Sequence, residues 1–204
     1  EPGGCPGVCP DFTAVAVVGT IWTLSQDPSL TAAPSVLALD PSTGVAVPGS
    51  QVPLPTPGFE LGCRAGLHLL PGGQALLSSA LDGSIHLLDL DTGATSWTWS
   101  PSDGRTADLL LASADRQRVH VVVEGGAAGL QLIALSLATG QEVAAAALPG
   151  VALPLWSMRT SYVDVDGGIV MATVDAPGSL AGHILRIEED AGVLSVAWTL
   201  TTGG

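Results

Sequence analysis

The chain of 204 residues carries six basic residues against 19 acidic ones, for a formal net charge of -13, with 47% apolar and only 12% charged residues. That balance argues against nucleic acid and against an anionic membrane surface, because both need clustered cations and the six Arg are scattered. A mean hydropathy of +0.46, in a chain with no run approaching the ~18 apolar residues of a membrane span, predicts apolar surface covered by a partner or by copies of itself.

Lys and Asn are both absent, the codon signature of a high-GC bacterium. The chain opens on Glu1 with no charged n-region or apolar h-region, which reads as a processed or excised form. Residues 1–14 form an N-terminal cysteine-containing segment. Within it, Cys5-Pro-Gly-Val-Cys9 could close a small disulfide loop, or one of the pair could bond to Cys63. Either leaves one thiol free or available for a bond to another chain. A zinc site needs four ligands and no His lies near Cys5 or Cys9, so ligand count speaks against zinc. An extracytoplasmic, oxidising compartment follows: periplasm, cell surface or medium.

The elements then come as short strands. Residues 15–56 give an incomplete first unit: DFTAVAVVGTIWTL, an insertion-like SQDPSLTAAP, SVLALDP and VAVPG supply three strands, with no innermost strand unless the Cys5–Cys9 segment provides it. A Pro-rich VPGSQVPLPTPGF (47–59) links it to the next unit and denies backbone donors to an added strand. Residues 57–104 read as four strands, HLLP, QALLSSAL, SIHLLDL and ATSWTWS, joined at Gly72-Gly73, Asp82-Gly83 and Asp91-Thr92-Gly93. Such dipeptides supply the positive φ of tight hairpins. Residues 105–152 follow suit with DLLLASA, RVHVVVEG, LQLIALSL and QEVAAAAL. Residues 153–204 give SYVDVD, GIVMATVD, HILRIEE and VLSVAWTL, with Asp166-Gly167-Gly168 as first turn. No 3.6-residue periodicity appears, and Gly or Pro punctuates every window.

One cadence repeats. SVLALDPSTG ends at Gly44, SIHLLDLDTG at Gly93, LQLIALSLATG at Gly140 and HILRIEEDAG at Gly192, separations of 49, 47 and 52 residues. A period of about fifty residues marks a propeller or solenoid. Five and seven residues before each glycine stand Leu39 and Leu37, Leu88 and His86, Leu135 and Ile133, Ile187 and Leu185. Six and eight before stand Ala38 and Val36, Leu87 and Ile85, Ala134 and Leu132, Arg186 and Ile184. Both faces of this strand are mostly apolar, as a blade sandwiched between two others requires. The expected fold is therefore all-β and propeller-type: about four four-stranded antiparallel blades, either a small ring or part of a larger propeller.

LLDLDTGATSWTW (87–99), VLALDPSTGVAV (36–47) and LIALSLATGQEV (132–143) resemble the A-L-D-x-x-T-G-x-x-x-W repeat of the pyrroloquinoline-quinone-type β-propellers. That superfamily includes quinoprotein alcohol dehydrogenases and a non-enzymatic scaffold for outer-membrane protein assembly. Two departures stand out: Trp97 has no Trp counterpart in the other repeats, and the fourth repeat replaces Thr-Gly with Ala191-Gly192. The quinoprotein enzymes hold their cofactor with adjacent cysteines and a stacked Trp, and their calcium with Glu, Asn and Asp. This chain has no adjacent cysteines and no Asn, so the resemblance implies the scaffold branch, with no cofactor.

Chemical motifs are sparse. Asp89 and Asp91, and Asp164 and Asp166, suggest fragments of calcium loops, but the distal bidentate Glu is missing after both pairs. The alternative is that these Asp and Thr side chains bond their own turn backbone. Glu188-Glu189-Asp190 reads as a solvated turn. His68, His86, His120 and His183 lie at non-equivalent places, and no carboxylate–base–nucleophile triplet is legible. Gly-x-Ser-x-Gly is absent, and a Walker loop needs a Lys the chain lacks. Trp22, Trp97, Trp99, Trp156 and Trp198 remain. Trp99 and Trp198 both lie six residues beyond a turn glycine, which predicts equivalent places on outer strands, packing a neighbouring blade or anchoring a partner. Trp97, Trp99 and Trp198 are thus the interaction candidates. The leading expectation is a non-catalytic, secreted or surface scaffold or self-assembling subunit, partnered by protein or by itself, with an inter-chain disulfide possible. Its rivals are a degenerate quinoprotein-like enzyme and a ligand-binding sensor domain excised from a larger chain.

Overall fold

The computed structural model describes residues 14–17, 20–25, 35–54, 66–79, 83–102, 106–112, 117–124, 129–150, 152, 162–163, 166–176, 179 and 181–203. Cys5, Cys9, Cys63, Asp164 and Trp156 lie outside them. The described residues are all-β, and no helix among them is long and apolar enough to cross a membrane. They form four four-stranded antiparallel sheets, the blade unit of a β-propeller. The chain divides into two compact units, Glu1–Ser100 and Pro101–Gly204, each with two sheets.

In the first unit, sheet 1 contains β1 (Ala14–Val17), β2 (Thr20–Ser25), β3 (Ser35–Leu39) and β4 (Val52–Pro53). Sheet 2 contains β5 (Gly66–Leu70), β6 (Gln74–Ser78), β7 (Ile85–Asp89) and β8 (Thr95–Trp99). Sheet 1 has the four strands of the others where three were expected. The run DFTAVAVVGTIWTL is not one strand: Val17 pairs with Thr20 and Ala14 with Thr23, so β1 and β2 are the arms of a hairpin within it. Thr13, Thr20 and Thr23 suit a strand as well as the apolar residues around them, so the glycine at 19 is the one marker of such a hairpin.

In the second unit, sheet 3 contains β9 (Thr106–Ala112), β10 (Arg118–Glu124), β11 (Gln131–Ser136) and β12 (Glu142–Ala147). Sheet 4 contains β13 (Tyr162–Val163), β14 (Ile169–Val174), β15 (Gly182–Asp190) and β16 (Val193–Thr202). Consecutive strands pair throughout, so every connection within a sheet is a hairpin.

The repeated turn has one geometry in three sheets. Asp40 N–H donates to Val45 O (2.9 Å), and Asp40 O accepts from Gly44 N–H (2.7 Å). Asp89 does the same with Ala94 and Gly93, and Ser136 with Gln141 and Gly140. The glycines stand at φ of 67°, 72° and 68°, a left-handed conformation that costs a residue with a Cβ about 1–2 kcal/mol. The fourth turn is built differently. Asp190 pairs with Val193 across Ala191 (φ 49°) and Gly192 (φ 81°), a two-residue turn with both central φ positive, whose twist suits a hairpin.

Each sheet has two faces, named here by the residues of its third strand. The front carries Val36, Ile85, Leu132 and Ile184; the back carries Leu39, Leu88, Leu135 and Ile187. In the first unit one core joins Val36, Val52 and Trp22 from the front of sheet 1 to Leu67, Ala75, Leu77 and Leu88 from the back of sheet 2. In the second, Val122, Leu132 and Ala134 from the front of sheet 3 meet Ile169, Met171, Leu185 and Ile187 from the back of sheet 4. Both units therefore use one rule, front on back. The expected two-sided burial holds for β7 and β11, where Ile85, Leu88, Leu132 and Leu135 are all buried, whereas β15 is buried on its back alone.

Candidate functional site

The acidic turns come first, because they were the candidate cation ligands. Asp89 Oδ1 accepts from the N–H groups of Asp91 (3.1 Å) and Thr92 (2.8 Å) and from the Thr92 hydroxyl (2.8 Å). The Thr92 hydroxyl and N–H hold the Asp89 carboxyl below its ordinary value of 3.8. Asp40 is held low in the same way by the Ser42 hydroxyl and N–H. Asp91 lies over the preceding hairpin, where a methyl on Gly73 would come within 3.3 Å of its Oδ2. Asp166 accepts from Gly168 N–H at 3.2 Å and pairs with Arg186; these two contacts, in that order, lower its pKa. The Arg186 guanidinium in turn rests against Gly168 and donates through Nε to Glu188 at 3.0 Å. Asp89 and Asp166 thus spend these carboxylate oxygens on their own turns and on Arg186, and among the described residues no three His, Cys, Asp or Glu cluster as a metal site.

A pH prediction follows. A carboxyl with a folded pKa below its unfolded value stabilises fully above the unfolded value and loses that contribution as pH falls through the folded one. Asp89→Ala is therefore expected to lower the melting temperature at neutral pH. The deficit relative to the parent should shrink as pH drops below 3.8. Circular-dichroism melts across that range check this, and a deficit unchanged at low pH would contradict it.

No carboxylate–base–hydroxyl set was legible in the sequence, yet the structure assembles one. His183 Nε2 lies 2.9 Å from Asp175 Oδ1, and His183 Nδ1 lies 3.4 Å from Thr201 Oγ1. Asp175 follows β14, His183 is the second residue of β15 and Thr201 the penultimate residue of β16, so only the hairpin register brings them together. The hydroxyl is beyond the 2.5–3.0 Å usual for a hydroxyl hydrogen bond, and the chain of contacts serves to tie three strand ends. His86 has a comparable pair of hydroxyls, Ser84 at 2.8 Å and Thr98 at 3.1 Å. Where sheets 3 and 4 meet, Glu189 lies 3.2 Å from Arg118 Nε and 3.6 Å from the buried His120 Nε2.

The tryptophans need a correction. Trp99 and Trp198 are not equivalent. Each outer strand of sheets 2, 3 and 4 carries a bulge, after Leu87, Ala134 and Arg186, and these residues pair with Trp97, Ala144 and Trp198. Trp97 therefore corresponds to Trp198, and Trp99, paired with Ile85, corresponds to Leu200, paired with Ile184. Counting from the glycine fails because β15 and β16 run two residue pairs further before their shorter turn.

This register exposes the most distinctive surface of the second unit. Ile85 and Trp99 are 0% and 8% exposed, but their counterparts Ile184 and Leu200 are 36% and 57% exposed. Trp97 is half-buried, whereas Trp198 is 44% exposed. Val193 lies on the same face, and these four are the majority of the seven large exposed hydrophobics among the described residues. Asp166, Arg186, Glu188 and Asp190 rim the patch. The positions of Arg186, Glu188 and Asp190 follow from alternation along β15, but the opening of this face could not be read from a sequence that is apolar at the same positions in covered blades.

No protein-family model matches the chain, and no curated protein matches it. Solved structures do. The chain is similar to a europium-containing methanol dehydrogenase (18% identity, TM-score 0.60, covering 91% of this chain and 40% of that one). It is also similar to a chain of Kuenenia stuttgartiensis hydrazine synthase (15%, 0.61, 90% and 46%) and to one in a mitotic checkpoint complex (12%, 0.57, 89% and 49%). The chain thus spans less than half the length of the solved chains it matches. At these identities the likeness is one of fold, and with the four antiparallel sheets it identifies the chain as an all-β protein of the β-propeller type.

Proposed function

We propose that the chain is a non-catalytic propeller-type module of the pyrroloquinoline-quinone-like kind, working outside the cytoplasm as a protein-interaction scaffold. The observation that supports this reading is the bare front of sheet 4, where Ile184, Trp198 and Leu200 form one exposed apolar face. Trp is enriched at interface hot spots, and an exposed contiguous apolar face marks an interaction surface. Asp166, Glu188 and His183 of this sheet are engaged within the fold, by Arg186, by the Gly168 amide and by Asp175. The oxidising location rests on Cys5, Cys9 and Cys63.

The competing reading is an enzyme, since a dehydrogenase shares the fold. Thermal melts with pyrroloquinoline quinone, together with calcium or europium, separate the two. A ligand at about a hundred times its Kd stabilises a folded chain by about 2.7 kcal/mol, several degrees for a chain of this size. An unchanged midpoint is expected, and a saturable rise would overturn the non-catalytic reading.

A further inference from the structure

We infer that the bare front of sheet 4 is the docking surface for a second copy of this chain, which covers it with the back of its sheet 1. The inference rests on the interaction-module reading and names the surface and its occupant.

Two observations carry it. First, both units bury their cores by one rule, front of one sheet on back of the next. Sheet 4 uses its back against sheet 3 and has an unused front of matching build. Second, the chain itself carries the complementary half-open face. The position of Leu39 is filled by Leu88, Leu135 and Ile187 in the other sheets, and all three are buried to 1% exposure or less. Leu39 and its neighbour Leu37 are only half-buried. A front short of a back and a back short of a front make a head-to-tail contact, in which different surfaces of two copies meet.

Electrostatics modulates this contact. Two chains of charge -13 repel, and the front of sheet 4 has Asp166, Glu188 and Asp190 at its rim against the single Arg186. Added salt shortens the screening length from about 30 Å at 0.01 M to about 8 Å at 0.15 M, so association should strengthen with ionic strength, opposite to a salt-bridged interface.

The test is the mass in solution by light scattering, from micromolar upward, at low and physiological salt. The parent chain is expected to rise from 20.4 kDa toward a multiple of it, at lower concentration when salt is added. Leu200→Glu on the front of sheet 4 and Leu39→Glu on the back of sheet 1 should each remain monomeric. Mixing them should restore association, because each retains the face the other has lost. Leu37→Glu serves if circular dichroism shows that Leu39→Glu does not fold. A parent that is monomeric throughout would overturn the inference, while the quinone melts judge the non-catalytic reading separately. Persistent association of the Leu39→Glu or Leu37→Glu chain would also overturn it, since the front would then be pairing with some other surface.

Discussion

Gly182→Ala is expected to destabilise the second unit by roughly 3 kcal/mol, the upper range for forcing an extra methyl into a packed interior. Gly182 opens β15 directly opposite Val174. A Cβ there would stand 2.1 Å from the Thr173 carbonyl oxygen and 3.0 Å from Val174 Cα. These are backbone atoms of the paired strand and cannot rotate away. The strands would have to part, loosening the Thr202 hydroxyl bond to Gly182 O (3.2 Å) and the Thr173 hydroxyl bond to Pro149 O (2.8 Å). Where the backbone tolerates it, Gly→Ala stabilises by about 0.4–1 kcal/mol, so the sign of the change is diagnostic. A urea titration followed by circular dichroism reads it, and an unchanged or higher midpoint would contradict the close approach of β14 and β15.

The second large effect is Leu185→Ala, expected to cost about 3 kcal/mol. Leu185 is fully buried on the back of sheet 4 among Ile169, Met171 and Ile187, so truncation loses transfer free energy and leaves a cavity lined by stiff neighbours. Leu200→Ala, on the other face of the same sheet, should change stability by no more than about 0.5 kcal/mol. The contrast between two leucines on neighbouring strands isolates burial from strand propensity. Comparable losses at both positions would mean that the front of sheet 4 is covered within the single chain.

Much of the fold was legible because its signals are local. The four turn glycines, the Asp-Gly and Gly-Gly hairpins and the doubly apolar third strands depend only on residues a few positions apart, and they located the sheets. The β1–β2 hairpin was missed because DFTAVAVVGTIWTL offers one glycine among residues that mostly suit a strand. The tryptophan equivalence was missed for a related reason: a fixed offset from the turn glycine assumes equal hairpin arms, and β15–β16 is longer by two pairs. The candidate site was half legible. Trp198 stands out by type, and the roles of Asp89 and Asp166 in their turns follow from spacing. The grouping of Asp175, His183 and Thr201 depends on strand register across two hairpins. The opening of the front of sheet 4 depends on long-range packing, information that no local pattern carries, since Ile85 and Ile184 occupy the same place in the repeat.

The central claim is that equivalent blade faces are closed in sheet 2 and open in sheet 4. Hydroxyl-radical footprinting of the dilute chain, read by mass spectrometry at single residues, tests it most directly. Trp198 and Leu200 should label several times faster than Trp99 and Ile85, in line with exposures of 44% and 57% against 8% and 0%. Equal labelling of Trp198 and Trp99 would mean that the front of sheet 4 is covered like the others, and the interaction surface would have to be sought elsewhere.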